Sequence, residues 1–514
     1  MFSKVKSCAV HGVDGRMIDV EADVNDGLPV FTMVGYLSSS VRESSERVRT
    51  ALKNSGFHLP PKRITINLSP ADMRKDGSGY DLAIATAVLL SLGVTAELPM
   101  EQTLVLGELS LDGSIKAIPG VLPMVICARE EGMTSCIVPK ENVQEAALVQ
   151  GISVIGVSSL KETMEYIQGI KEYENTNVEQ PAVDTSEYLY DIDFSDVVGQ
   201  ESIKRGMEIA AAGFHNVLLT GAAGAGKSML AKRLPTILPQ MSFEESLEVT
   251  KIYSVGGMLP PEGGLIHRRP FRAPHHTISE YALIGGGRVP TPGEVSFAHY
   301  GVLFLDELPE FSKPVLEVLR QPLEDRRIRI SRVQASYEFP ADFMFVAAMN
   351  PCPCGNYPDY RRCSCTEQQI RRYQSKVSGP LLDRIDIRME VKGVKQEVLF
   401  SKQKTESSKI IRARVEQARQ MQKERFAGTG LLFNSQLDGK NLEEYITLSE
   451  EGKRLVLQLF EEQELSVRGV HRVLKLARTI ADLAGSEEIE HAHLQEAAFY
   501  RNQDVFAKEV LYGN

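Results

Sequence analysis

The sequence has no apolar run long enough to cross a membrane. The best, Leu82 to Leu92, has about half the length that a transmembrane helix needs. The first residues, Met1 to Lys4, open without the apolar core of a signal peptide. We therefore expect neither a membrane-embedded nor a secreted protein, and we predict a cytoplasmic one without membrane partners.

The sequence also lacks an excess of basic charge. Its 58 lysines and arginines against 68 acidic residues give a net charge of −10 at pH 7. Proteins that coat nucleic acid with their whole surface need basic groups to neutralise phosphates, so this class is excluded and any DNA contact must be local. We find no internal repeat and no low-complexity segment, and 514 residues are too many for one core, which favours about three domains.

One acidic stretch divides the chain. Residues 171–195 lose apolar periodicity and are typical of a linker. Before it, strand-like and helix-like runs alternate over residues 1–170, which predicts a mixed α/β domain. After it we predict an α/β nucleotide domain over 196–394 and a mostly helical domain over 395–514. In the first domain the predicted strands are 64–68, 103–106, 136–138 and 153–157, and the predicted helices are 40–55, 80–92 and 121–131.

The most informative motif is a glycine-rich loop between an apolar run, Asn216 to Thr220, and a helix-like segment that begins at Met229. Glycines let the backbone curl round a phosphate, and the exposed N–H groups and helix N-terminus supply positive potential. The lysine of such a loop reaches the terminal phosphates, and the following serine can hold Mg²⁺. We therefore predict an ATP or GTP site formed by Gly221, Ala222, Ala223, Gly224, Ala225, Gly226, Lys227 and Ser228.

A second apolar strand, Gly301 to Leu305, ends in Asp306 and Glu307. The tip of a buried strand is where a magnesium-holding Asp and a water-activating Glu stand beside the phosphate loop. The alternative is a strand capped by solvated acids; with the upstream loop, we expect hydrolysis. A further apolar strand, 343–349, ends in Asn350, which would orient the attacking water if this strand lies beside the one bearing Asp306.

Two arginines are candidates for contacting the γ-phosphate. Arg384 stands at a turn after a helix, a position that suits an arginine finger acting on a neighbouring subunit's ATP. The alternative is a surface arginine paired with Asp383 or Asp386. Arg468 opens a later helix and would reach the γ-phosphate from a lid.

Four cysteines cluster in a C-x-C, eight residues, C-x-C pattern. In a reducing compartment such a cluster favours a tetrahedral zinc clip over disulfides, with free or partly buried thiols as the alternative. Four sulfur ligands would close the site and make it structural, holding the loop that follows Asn350. The four ligands are Cys352, Cys354, Cys363 and Cys365.

Several of these segments together resemble the magnesium-chelatase-like AAA+ ATPases of the YifB/ComM type, over nearly the whole chain. The segments that carry the resemblance are 271–277, 285–287, 292–294, 298–311 and 350–355. In the first domain, residues 75–79 are similar to the nucleophile loop of Lon protease. The resemblance implies a Lon-protease-like α+β domain of the ribosomal protein S5 domain 2-like type, a P-loop AAA+ α/β core and a C-terminal helical lid.

The function that this resemblance implies is a homo-hexameric motor that uses ATP and Mg²⁺ to unwind or branch-migrate DNA. Its setting would be the recombination of incoming DNA in natural transformation, with single-stranded or branched DNA and recombination proteins as partners. Two other classes stay open: a chelatase-like remodeller acting on a protein partner, against which the Lon-like domain speaks, and an ATP-dependent protease or unfoldase.

The first domain departs from the protease pattern. Gly79 occupies the position of the Lon serine, Ser78 stands one residue early, and the helix after Gly120 has no lysine. Because a serine without an adjacent base is a weak nucleophile, we predict a proteolytically inactive domain used for assembly or substrate contact.

Two basic stretches are similar to the pore inserts of relatives. Residues 252–272 contain Arg268 and Arg269, and residues 326–339 contain Arg327, Arg329 and Arg332 interleaved with isoleucines, as in a hairpin with one wet face. These arginines either hold DNA phosphates or form an ordinary solvated face, and both interpretations stay open.

Adjacent histidines follow the first of these stretches. His275 and His276 would point to opposite faces of a strand and could not easily share one metal ion. We therefore expect them to pack in a loop or to hydrogen-bond on the phosphate side.

Overall fold

The computed structural model describes residues 1–171, 190–260, 264–332, 335–393, 405–462 and 466–502. It is a mixed α/β protein with a parallel sheet and a helical C-terminal part, which agrees with the sequence at this coarse level. Most of the predicted linker, 172–189, lies outside the described residues, as do 395–404, 463–465 and 503–514 of the predicted lid. Within the described ranges, no helix combines the length and apolar character needed to cross a bilayer.

The first unit is built on one large sheet. Its strands are β1 (Phe2–His11), β2 (Asp14–Asn25), β3 (Phe31–Val34), β4 (Arg63–Ser69), β5 (Thr103–Val105), β6 (Glu108–Leu109), β7 (Ile115–Lys116), β8 (Ser135–Pro139) and β9 (Ser153–Val157). Seven of them form a sheet of order β3-β4-β2-β1-β5-β8-β9, in which β1, β2 and β4 pair antiparallel and the remaining pairs are parallel. The predicted strands are therefore present, and the sheet also contains β1, β2 and β3, which were not predicted.

Helices cover this sheet. They are α1 (Ser39–Asn54), α2 (Asp81–Ser91), α3 (Val121–Glu130), α4 (Val143–Ala146) and α5 (Leu160–Ile167). The longest apolar run of the chain lies in α2, which is buried on nearly every face and packs on β1 and β2. Its hydrophobicity therefore belongs to a core helix, as its short length predicts.

The second unit is built on a parallel sheet. Its strands are β10 (Val217–Thr220), β11 (Phe271–Arg272), β12 (Gly285–Gly286), β13 (Thr291–Pro292), β14 (Val302–Leu305), β15 (Arg327–Ser331), β16 (Ser336–Pro340), β17 (Met344–Met349) and β18 (Ile387–Glu390). Five of them form the sheet, of order β11-β14-β17-β10-β18, and the others form the hairpins β12–β13 and β15–β16. Every residue of β10, β14 and β17 is buried, because parallel strands are covered on both faces. Their carboxyl ends meet at one edge, where the candidate site lies.

The helices of this unit are α6 (Glu201–Gly213), α7 (Lys227–Arg233), α8 (Phe243–Val255), α9 (Glu280–Ile284), α10 (Glu294–Phe297), α11 (Lys313–Val318), α12 (Pro322–Asp325), α13 (Glu367–Gln374) and α14 (Gly379–Leu382). The C-terminal helices are α15 (Ser408–Arg425), α16 (Gly439–Tyr445), α17 (Glu450–Glu462), α18 (Val467–Leu483) and α19 (His491–Asn502). They share one apolar core with β10, β18 and α6. A buried polar link crosses the boundary, where His215 Nε2 lies 2.8 Å from Thr479 Oγ1.

The first unit packs on α8 through α3. The buried carboxylate of Glu145 accepts hydrogen bonds from Leu122 N and from the Ser254 hydroxyl. Gly120 N donates to Ser254 O at 3.0 Å, and Lys251 pairs with Asp14 at 2.8 Å. The two units are thus joined by polar contacts as well as by side-chain packing.

Candidate nucleotide site

The phosphate loop connects β10 to α7, as the motif predicts. Gly224 and Gly226 have φ of 75° and 95°, the left-handed region that favours glycine. A Cβ on Gly221 would collide with the carbonyl of Val391. These glycines are therefore required by the loop geometry, and the loop opens directly into a helix N-terminus, the arrangement that binds phosphate.

Lys227 is buried at the base of the loop. Its Nζ donates to Gly221 O at 2.7 Å, to Ala222 O at 2.9 Å and to Asn350 Oδ1 at 3.0 Å. Burial lowers the pKa of Lys227, and the carboxylates of Asp306 and Glu307 oppose that shift. The ammonium group of Lys227 therefore lies inside the loop, at the position from which the lysine of this motif reaches the terminal phosphates of a nucleotide.

The proposed magnesium ligands touch each other. Ser228 Oγ lies 2.5 Å from Asp306 Oδ2, although the two residues come from different elements. Hydroxyl and carboxylate oxygens are the ligands that Mg²⁺ prefers, so this pair fits the ion. A nucleotide site requires the phosphate loop to lie close to the acidic strand end, and the structure meets this requirement.

Glu307 has an unusual backbone. Its φ of 53° is in the left-handed region, although it is not a glycine, and its side chain is 60% exposed. Strained conformations of this kind cluster at functional sites. His276 Nδ1 lies 4.0 Å from Glu307 Oε2, and His275 Nδ1 lies 2.9 Å from Thr277 Oγ1. The two histidines lie in a loop, as expected, but the expectation that they point to opposite faces is wrong, because their ring centroids are 4.0 Å apart. The sequence did not specify Glu307 as the neighbour of His276, because their separation along the chain conceals the contact.

Asn350 follows β17, which pairs with both β14 and β10. This is the strand adjacency that the predicted role of Asn350 requires. Asn350 Oδ1 accepts a hydrogen bond from Lys227. The amide therefore lies between the phosphate loop and the strand that bears Asp306.

Arg384 and Arg468 lie beside one carboxylate, that of Glu324. Arg384 Nη2 is 2.5 Å and Arg468 Nη1 is 3.9 Å from Glu324 Oε1. Arg384 is 7% exposed, and it also donates to the carbonyls of Arg320 and Pro380 at 3.1 and 2.6 Å. Arg384 is therefore ion-paired within its own chain, as the alternative expected, although its partner is Glu324 and neither Asp383 nor Asp386.

The four cysteine sulfurs lie within 4.8 Å of one another. The Sγ atoms of Cys352, Cys354 and Cys363 are 3.4–3.7 Å apart. Sulfurs about 2.3 Å from a tetrahedral zinc ion would be about 3.8 Å apart, so the cluster has the size of such a site. Backbone hydrogen bonding by Asn356 lowers the pKa of Cys354 to about 6, which favours the thiolate that metals bind.

The cysteine loop touches the phosphate loop. A Cβ added to Gly355 would lie 3.4 Å from Ala223 N and 3.8 Å from Asn350 Cγ. From the sequence, this cluster was expected to hold only the loop after Asn350. The structure adds that the same loop lies against the backbone that would cradle phosphate.

The candidate DNA arginines have different surroundings. Arg269 is 6% exposed and donates to the carbonyls of Pro239, Gln240 and Tyr300 as well as pairing with Glu245. The prediction that Arg269 contacts DNA is therefore corrected: its donors are used inside the fold. Arg268 lies over the ring of Tyr190 at 5.5 Å.

The predicted hairpin is present as β15–β16. Arg327 and Arg329 are exposed, whereas Ile328 is buried, so one face is wet. Both arginines pair with Glu338, at 2.9 and 3.0 Å. Arg332 Nη2 donates to Gly287 O at 3.1 Å. This face is therefore basic but partly neutralised by one glutamate.

The residues that resemble a protease loop do not form a serine–lysine pair. The hydroxyl of Ser78 donates to the carboxylate of Glu108. Lys75 is fully buried and its Nζ donates to the carbonyls of Pro70 and Met73. The partner of Ser78 is thus a carboxylate, and Lys75 is directed elsewhere.

Comparison with known proteins gives a consistent family. Three protein-family models match the chain. The family model described as "Magnesium chelatase, subunit ChlI" matches residues 193–399, "Subunit ChlI of Mg-chelatase" matches residues 20–142, and "Magnesium chelatase, subunit ChlI C-terminal" matches residues 405–501. Competence protein ComM of Haemophilus influenzae is 40% identical over 97% of each chain. YifB of Escherichia coli is 40% identical over 98% of this chain and 97% of its own. Lon protease 2 of Bacillus subtilis is 30% identical over 32% of each chain.

Proposed function

This chain belongs to the magnesium-chelatase-like proteins of the YifB/ComM type, and from that premise we propose that it is an ATP-driven DNA motor. It would unwind or branch-migrate single-stranded or branched DNA as a homo-hexamer in the cytoplasm, during recombination of incoming DNA. The observation that carries the proposal is the convergence of Lys227, the Ser228–Asp306 pair and Asn350 at one edge of the parallel sheet. The name of the Haemophilus relative, a competence protein, supports DNA as the substrate.

Each residue of this edge has a separate task in ATP hydrolysis. The loop backbone and Lys227 bind the phosphates, and Ser228 with Asp306 would hold Mg²⁺, which supplies charge neutralisation on the phosphate oxygens. Glu307 accepts a proton from the attacking water, and Asn350 orients that water. His276, next to Glu307, would hold the carboxylate in place.

The two arginines complete a neighbouring site. Their shared carboxylate, Glu324, supports the inference that Arg384 and Arg468 serve one and the same nucleotide. We infer that this nucleotide is bound by the adjoining protomer, whose phosphates would replace Glu324 as the partner of Arg384. ATP hydrolysis would then depend on assembly, as a ring motor requires.

We propose that the wet face of the β15–β16 hairpin contacts DNA. A local basic face is the only kind of contact that the net charge of −10 favours. Arg327, Arg329 and Arg332 would bind phosphates and thus hold any sequence equally well. Arg268 is a further candidate for this contact, whereas the donors of Arg269 are used inside the fold.

Replacing Glu338 with glutamine tests this face, because the substitution is expected to increase the affinity for DNA rather than to decrease it. The change frees Arg327 and Arg329 from their carboxylate, so we expect single-stranded DNA to bind several-fold more tightly. Arg329→Gln should act in the opposite direction. Fluorescence anisotropy of a labelled oligonucleotide measures both variants. Equal affinities for all three proteins would mean that the hairpin arginines are only a solvated face.

We also propose that Cys352, Cys354, Cys363 and Cys365 bind one structural Zn²⁺. The bound ion would supply a cross-link that holds Gly355 against the phosphate loop. The observed sulfur separations support this interpretation.

Substituting two of these ligands, Cys354→Ser with Cys363→Ser, should remove the metal and slow ATP turnover about a hundredfold, because misplacement by about 1 Å in a site has effects of that size. Elemental analysis and ATPase assays measure the two quantities on the same sample. Cys127→Ser, which changes a cysteine of the first unit, is the control. Metal-free wild-type protein with full turnover would contradict the proposal.

The proposed function is tested by ATP turnover with no DNA, with linear single strands and with a four-way junction. We expect both DNAs to raise the rate of ATP turnover above that without DNA. The DNA that raises it more, the single strand or the four-way junction, is then the preferred substrate of the motor. Stimulation by a protein or a porphyrin but by no DNA would overturn the proposal in favour of a chelatase-like remodeller.

A further inference from the structure

A cavity of about 710 Å³ lies between the first unit and the ATPase unit. Its first wall is the turn between β1 and β2 together with residues 72–80, and its second wall is residues 288–291 with the start of β16. The walls meet where His11 Nε2 lies 3.2 Å from Ser336 O. Ligand sites commonly have volumes of about 300–1,000 Å³, so this cavity is large enough for one. The residues proposed for ATP hydrolysis lie outside it.

The charged groups of this cavity are mainly basic. Arg74 pairs with Asp76 at 3.5 Å. Arg16 and Arg288, by contrast, form no ion pair with any residue in the described ranges. Unpaired arginines facing one cavity are notable in a chain with a net charge of −10, because they concentrate positive potential there. The charged lining consists of Arg16, Arg74, Arg288, Arg332, Asp72 and Asp76.

The cavity continues into a groove. A second space of about 570 Å³ shares Tyr36, Arg74 and Arg288 with it and adds Arg42 and Glu43. The two spaces therefore form a track along the first unit rather than one closed chamber. A track lined by successive arginines suits an extended polyanion better than a single small anion.

Aromatic groups accompany these arginines. Tyr337 stacks on His11 with ring centroids 4.5 Å apart and an angle of 30° between the planes. Tyr36 lines both spaces. Bases of single-stranded nucleic acid stack on such side chains whatever their sequence, because every base has a π-face.

We propose that this cleft binds a single strand of nucleic acid, with phosphates on Arg16 and Arg288 and bases against Tyr36 and Tyr337. The proposal rests on the proposed DNA motor and extends it, since it gives the strand a path beyond the hairpin. Tyr337 belongs to β16, so the same hairpin that carries Arg329 forms part of the cleft. Arg332, which follows β15, also lines the cleft, so it would connect a strand held by the hairpin to the cleft.

The experiment compares the full chain with an Arg16→Gln, Arg288→Gln double variant. Binding of a labelled oligothymidine is measured over a series of salt concentrations in the presence of a slowly hydrolysed ATP analogue. On a single strand, each arginine that binds a phosphate contributes about 0.7 to the magnitude of the slope of log affinity against log salt, so the slope of the double variant should be smaller in magnitude by about 1.4. Arg49→Gln, an exposed arginine of α1 outside the cleft, should leave the slope unchanged.

A bromouracil-substituted oligonucleotide supplies a second readout that does not depend on the substitutions. We expect photo-crosslinks in peptides that contain Tyr36 or Tyr337. An unchanged salt slope and no crosslink at either tyrosine, with DNA still bound and ATP turnover still stimulated, would overturn the cleft proposal alone. Absence of any DNA binding by the wild-type chain would instead overturn the motor. Competition by thymidine monophosphate or by an acidic peptide as strong as that by the oligonucleotide would contradict a nucleic-acid strand as the occupant.

Discussion

Replacing Glu307 with glutamine is expected to lower ATP turnover by about two to four orders of magnitude while nucleotide still binds. Glutamine keeps the shape of the side chain but cannot accept a proton from water, and general-base catalysis contributes about 10²–10⁴ in rate. Lys227 and the loop backbone, the proposed phosphate-binding groups, are untouched by this change. Single-turnover hydrolysis and the affinity for a fluorescent ATP analogue, measured on one preparation, separate the two effects.

Two controls make this result specific. Glu310→Gln removes a nearby carboxylate that pairs with Lys376 at 3.5 Å and should leave turnover near the wild-type value. Lys227→Ala should instead weaken nucleotide binding itself, because the ammonium group is lost from the phosphate loop. Turnover by Glu307→Gln within a few-fold of wild type would show that another group activates the water, and His276 would then be the first residue to examine.

Much of this site could be predicted because its signals are local. The glycine loop, Lys227 and Ser228 are adjacent in sequence. Their positions follow from the strand before the loop and the helix after it, β10 and α7. Asp306 and Asn350 follow buried apolar strands, and in a parallel sheet the ends of such strands meet at one edge. These rules connect residues that are far apart in the chain without any knowledge of side-chain contacts.

The contacts that escaped prediction have no such local signal. Arg269 lies in a basic cluster like that of a DNA-binding loop, yet its guanidinium is buried against carbonyls that only the tertiary fold brings together. No sequence pattern predicts that Glu324 pairs with Arg384 and Arg468, and none predicts that Gly355 lies against Ala223. The charge and spacing of arginines in a sequence show that they are able to bind phosphates. Whether their N–H donors are already hydrogen-bonded inside the protein depends on burial, which the tertiary fold determines.

The first unit shows the same limit at the level of the fold. Its strands β4, β5, β8 and β9 were predicted, but β1 and β2 carry charged residues at alternating positions and were missed. Alternation of this kind is typical of an antiparallel strand with one face towards solvent. The period-two pattern was present in the sequence, and a search for long apolar runs passes over it.

Replacing Arg384 with alanine is expected to lower ATP turnover by about three to five orders of magnitude, the range attributed to arginine fingers. If the arginine acts on the neighbouring protomer, the loss can be complemented. A mixture of Arg384→Ala subunits with Lys227→Ala subunits contains interfaces in which an intact phosphate loop faces an intact arginine. We therefore expect turnover to return on mixing, although each variant alone is inactive.

The structure makes this test demanding, because Arg384 is buried against its own protomer and its loss could also disturb the fold. Its bonds to the carbonyls of Arg320 and Pro380 would be lost together with the pair to Glu324. Recovery on mixing separates these roles, since a misfolded subunit cannot supply a working phosphate loop. A lowered melting temperature for Arg384→Ala with no recovery at any mixing ratio would make Arg384 a structural residue. Arg468 would then be the source of positive charge at the assembly-dependent site. Its side chain is 69% exposed and is therefore able to reach across an interface. Arg468→Ala subunits should accordingly recover ATP turnover when they are mixed with Lys227→Ala subunits.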